Sequence, residues 1–128
     1  MATFKEFNNQ IPGLLAGASL ASYQYYPVKH ASTAGEVVRA TAQVSTATGN
    51  AISIVQNDPA DGEPALLPGI GDICKAVAGA ADIAVGEYLT ANSSGVVDTT
   101  SGFVFARALE ASSAVGNYIR VQIIDAKL

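Results

Sequence analysis

Residues 71–124 restrict this chain more than any other stretch. Short apolar runs follow one another there, each cut by Gly or Ser-Gly. Residues 72–77 read as a strand. Residues 87–90 and 96–99 flank Asn92-Ser93-Ser94-Gly95, the signature of a tight hairpin turn. Residues 103–110 alternate, with Val104, Ala106 and Ala108 on one face and Phe103, Phe105, Arg107 and Leu109 on the other. Residues 117–124 alternate more cleanly: Ile119, Val121 and Ile123 point to a core, and Tyr118, Arg120 and Gln122 point away. Strands spaced by about eight to twelve residues, with no long 3.6-residue period, predict a mainly β chain folded as a compact β-barrel or sandwich. At 128 residues it fits a single domain with a real core.

The first half adds further strands. Residues 23–30 are aromatic and β-prone, although Pro27 restricts them to an edge or a bulge. Ala34-Gly35 is a turn, residues 36–41 and 51–55 read as strands, and residues 45–50 form a loop between them. Residues 56–64 hold the densest cluster of Pro, Gly and Asx, the clearest turn signal in the chain. Before Tyr23 the pattern changes. Phe4, Phe7, Ile11, Leu14 and Leu15 recur at spacings of three or four, although Pro12-Gly13 would break any long helix. The expected organisation is therefore an extended or partly helical N-terminal arm over residues 1–22 and a β-rich domain over residues 23–128. The apolar run at residues 11–21 is too short to span a bilayer. Glu6 and Pro12-Gly13 make it a poor secretory signal, so the arm is expected to stay on the mature protein.

Composition narrows the function. Charged residues make up 14% of the chain, against about 25% in an average globular domain. Mean hydropathy is positive although no membrane segment is present. Two readings compete: a neutral Ser/Thr surface, common in β-rich proteins, and a surface covered by copies of the chain or by another protein, since charge is depleted at interface cores. Net charge is −4, and Lys5, Lys29, Arg39, Lys75, Arg107, Arg120 and Lys127 are scattered with no basic run. Nucleic-acid binding needs a concentrated cationic field, so no nucleic-acid partner is expected.

Catalytic patterns are missing. Any Ser/His/Asp arrangement would have to use His30, the only histidine, and no Gly-x-Ser-x-Gly elbow is present. Cys74, the only cysteine, sits in an apolar strand and reads as a packed thiol. No Cys or His pair has metal spacing. Asp58, Asp61 and Glu63 do not match a calcium loop, and acidic residues are common in turns for backbone reasons. Gly69-Ile70-Gly71 lacks the Gly-Lys-Ser/Thr ending of a phosphate loop. The expectation is a protein without enzymatic activity, cofactor or metal.

The ordered set of turn-plus-strand motifs at residues 51–64 (AISIVQNDPADGEP), 71–91 (GDICKAVAGAADIAVGEYLTA) and 105–111 (FARALEA) resembles the capsid decoration proteins of tailed bacteriophages, also called structural cement proteins. The likeness runs from about Tyr23 to Ile124, and residues before Tyr23 match no motif. It implies a small β-rich virion protein, made in the host cytoplasm, that binds the outer surface of an expanded capsid and bridges capsomers. The implied partners are the major capsid protein and further copies of the chain, with a trimer favoured. No catalytic residue is carried over. Candidate interface residues are Phe4, Phe7, Ile11, Leu14 and Leu15 in the arm, with Tyr23, Tyr25 and Tyr26, because Tyr offers apolar area with a polar tip. The competing expectation is a phage head-surface module that recognises a host glycan or another surface ligand.

Overall fold

The computed structural model describes residues 9–128. Among these residues nine strands form two sheets. The first, in the order β1-β3-β2-β4, contains β1 (Leu15–Ala16), β2 (Pro27–His30), β3 (Glu36–Arg39) and β4 (Ser53–Ile54). The second, in the order β5-β9-β8-β6-β7, contains β5 (Ile73–Val77), β6 (Tyr88–Asn92), β7 (Gly95–Asp98), β8 (Phe103–Ala108) and β9 (Tyr118–Lys127). All pairings are antiparallel except β1 with β3, which is parallel. The chain is mainly β, and no helix occurs among the described residues.

Helical spacing before Tyr23 does not produce a helix. Pro12 has no N–H to give, and Gly13 turns the backbone with φ +78°. The amides on either side bond across to other segments instead: Ile11 N–H to the Leu67 carbonyl (2.9 Å), Leu15 N–H to Gly35 (3.0 Å) and Ala16 N–H to Glu63 (2.8 Å). Residues 9–22 are woven into the first sheet, with Ala16 and Leu20 fully buried. The expected partly helical, extended arm is thus corrected for its described part.

Pro27 also sits differently from expectation. It opens β2, which lies between β3 and β4 rather than at an edge. The first position of a strand tolerates a missing N–H, and the Pro27 carbonyl still accepts from Ala40 N–H (3.0 Å).

Buried side chains form two clusters, one under each sheet, and the larger also takes in Ile54 of β4 with Ala40 and Ala51. The first buries Ala16, Leu20, Val28, Val37, Val55, Ala65 and Leu67. The second is lined by the inward phase of its strands, including Ile119, Val121, Ile123, Leu89 and Val96. Much of this interior is small: Cys74, Ala76, Ala78, Ala91, Ala106 and Ala108. Small side chains let the sheet curl tightly until its edges approach. Gly79 N–H donates to the Val96 carbonyl (2.7 Å), Asn92 Nδ2 donates to the Gly79 carbonyl (2.9 Å), and Ala78 forms a lone parallel bridge with Val96. One bridge does not close a cylinder, so the barrel alternative is corrected to an open, strongly curled sheet. Gly95 makes this approach possible. Its φ is +140°, and a Cβ there would be driven into the Val77 carbonyl oxygen and lie 2.8 Å from Val77 Cγ1.

Phe105 departs from the alternation expected of β8. It is 4% exposed and joins the core, in the cluster that also holds Ala51 and Ile54 from the first half of the chain. The β8–β9 register shifts here, with Ile124 and Asp125 of β9 both opposite Phe105, so the extra residue of the bulge is on β9.

Candidate functional site

The aromatic stretch at residues 23–26 lies where the two sheets meet. Tyr25 N–H donates to the Val55 carbonyl (2.7 Å), just after β4, while the Tyr25 carbonyl accepts from Val77 N–H (3.0 Å), at the end of β5. One residue therefore joins the first sheet to the second. Meeting both partners forces Tyr25 to φ +72°, the only positive φ at a non-glycine among the described residues. That conformation costs on the order of 1–2 kcal/mol for an L residue.

This backbone arrangement sends the three tyrosine rings to two places. Tyr25 packs edge-to-face on Tyr118 of β9, with centroids 5.4 Å apart, and Lys75 Nζ lies 5.1 Å and 5.7 Å from the two ring centres. Tyr23 and Tyr26 pack edge-to-face at 5.3 Å. The Arg39 guanidinium sits over both, with Cζ 4.1 Å and 5.0 Å from their centroids, and Arg39 Nη2 donates to the Ser93 carbonyl (2.7 Å). Arg39 Nε is buried without a hydrogen-bond acceptor. The ring faces supply the electron density that the missing acceptor would provide. All three tyrosines are half-buried.

The remaining candidates divide. Phe4 and Phe7 lie outside the described residues. Ile11 and Leu14 are half-buried against the first core, while Leu15 is 38% exposed on β1. The structure brings Ile11 to the rim of a mostly apolar cleft of about 330 Å³, with His30, Ile52, Ile70, Phe105 and Asp125. Leu15 lies apart on the edge strand, and the tyrosines form their own corner.

Asp72 fixes where the described chain enters. It is buried, and its carboxylate accepts from Asn9 N–H through both oxygens (3.1 Å each) and from Gly69 N–H (3.0 Å). Asn9 Nδ2 donates to the Ile70 carbonyl (2.8 Å). Cys74, fully buried beside this turn, has its thiol pushed well above the ordinary range by burial, with the Asp72 charge adding to the effect. It stays protonated and unreactive at neutral pH. No group of three or more His, Cys, Asp or Glu side chains suited to a metal occurs among the described residues.

Sequence reasoning missed one feature. Lys75, Arg107 and Arg120 are far apart in the chain, yet the register of β5, β9 and β8 gathers them on one outward face. Each occupies the outward phase of its own strand, but only the pairing shows that they share a patch. Ile73 (45% exposed) and Tyr118 (60% exposed) lie on the same face.

No protein-family model matches the chain, and no curated protein sequence matches it either.

Proposed function

We propose that this is a virion structural protein that binds the outside of an expanded phage capsid and stabilises it by bridging capsomers. The observation that carries this reading is the ordered motif set at residues 51–64, 71–91 and 105–111, on a chain whose charged content is 14%. Ile73 and Tyr118, exposed on one outward face of β5 and β9, are compatible with burial against protein. A partner that binds only the expanded lattice stabilises it by mass action, about 2.7 kcal/mol per site at a hundredfold excess over its dissociation constant. Copies joined as a trimer add avidity.

Co-sedimentation with expanded heads stripped of this protein tests the reading. Wild-type protein should bind at a fixed stoichiometry and raise the temperature at which the heads rupture. Absence of binding would overturn it. A second reading, glycan recognition, draws on the exposed Tyr118 ring beside Tyr25, since aromatic faces stack on sugars. Binding on a glycan array together with no affinity for heads would select it.

A further inference from the structure

Strand register places Lys75 directly opposite Arg120, and Arg107 directly opposite Gln122, two residues along β9 from Arg120. Three of the chain's seven cations thus share one face of a protein whose net charge is −4. Side chains directly opposed on a sheet have Cβ atoms about 4.5–5.5 Å apart, and like charges there repel.

The patch is held in place more than it is neutralised. Lys75 makes no ion pair among the described residues and rests on the Tyr25 and Tyr118 rings. The Arg107 guanidinium lies 4.9 Å from the Tyr88 ring centre, and its Nε donates to the Gly86 carbonyl (3.0 Å). Among the described residues Arg120 has one ion-pair partner, Glu110 at 3.5 Å, in a pair about half exposed on both sides, where water screens the attraction. Glu87, at the same corner, has its Oε1 occupied by Ala84 N–H. Cations braced on aromatic faces beside exposed Ile73 and Tyr118 match the Arg- and Tyr-rich make-up of protein hot spots.

We infer that this outward face of β5, β9 and β8 docks on a carboxylate-bearing protein surface, with Lys75, Arg107 and Arg120 as its charge partners and Ile73 and Tyr118 as its apolar anchors. The inference rests on the proposed function, which makes that surface the exterior of the capsid lattice. Phosphate is a poorer fit. Three cations release only about three counterions, too few for strong nucleic-acid binding, and the flanking apolar side chains would stay wet.

The test is co-sedimentation of the full chain with stripped, expanded heads at low and high salt. It compares wild type, a Lys75→Gln/Arg107→Gln/Arg120→Gln variant and a Lys127→Gln control. The triple variant should bind at least about tenfold more weakly and lose most of the salt dependence. It should melt within about 3 °C of wild type, and the control should bind normally. A milder Lys75→Gln/Arg120→Gln variant should fall between the two, which keeps the test open if the triple variant misfolds. If wild type and folded variants bind heads equally, this face is not the dock, while the capsid reading stands. If wild type does not bind heads, both fall. If wild type binds a DNA duplex and the triple variant does not, the patch reads phosphate and the acidic-protein assignment is overturned.

Discussion

Gly95→Ala tests the account of the curled sheet most directly. Two separate penalties arise at this position. The first is conformational: φ +140° is rarely adopted by a residue with a Cβ, at about 1–2 kcal/mol. The second is steric. The new methyl would enter the space of the Val77 carbonyl, so β7 must move away from the end of β5. That movement stretches the Gly79–Val96 bond and the Ala78–Val96 bridge, at about 1 kcal/mol each. The total is about 3–4 kcal/mol. With an unfolding entropy of about 2.1 cal/mol/K per residue, a 128-residue chain loses about 4 °C per kcal/mol, so the melting temperature should fall by about 12 °C. Gly116→Ala is the matched control. Its φ is +94°, but nothing lies within 4 Å of the added Cβ, so only the conformational penalty of about 1–2 kcal/mol applies and the drop should be about 4–8 °C. Thermal unfolding followed by circular dichroism measures both. Equal drops for the two variants would refute the close approach of β7 to β5.

Leu20→Ala should destabilise the chain by about 2–4 kcal/mol in urea, because Leu20 is buried in the first core; a surface-like effect under 1 kcal/mol would place residues 9–22 outside it. Asp72→Ala leaves the Asn9 and Gly69 amides without their acceptor and should cost about 2–3 kcal/mol, with faster hydrogen exchange at both amides. Arg39→Ala should cost about 1–2 kcal/mol through the lost contacts with Tyr23, Tyr26 and the Ser93 carbonyl. The folded thiol of Cys74 ionises later than the unfolded one, so its contribution is complete below about pH 9 and is lost as pH rises further. The loss should approach about 1.4 kcal/mol per pH unit, and Cys74→Ala should remove that slope.

Much of the second sheet was legible because its strands follow a two-residue period. Ile119, Val121 and Ile123 are buried as their alternation indicated, and the Asn92–Gly95 turn joins β6 to β7. Local patterning failed where distant segments decide the outcome. A two-residue strand such as Leu15–Ala16 has no period to read; its place depends on β3, some twenty residues on. The left-handed backbone of Tyr25 follows from Val55 and Val77, neither of them a neighbour in sequence. Phe105 is buried among residues that include Ala51 and Ile54, some fifty positions earlier, which alternation does not reveal. Of the candidate site, the tyrosines were visible as a composition signal. The cation patch was not, since its members meet only once three strands are in register.

The double anchoring of Tyr25 has a mechanical consequence. A load that drags the sheets in opposite directions must break the Tyr25–Val55 or the Tyr25–Val77 bond, made by two successive peptide groups, together with the paired bonds of the Gln56 side chain to the Lys75 backbone. Strain at one end is therefore handed to the other rather than absorbed by a hinge, and the halves should yield together, in one rupture event.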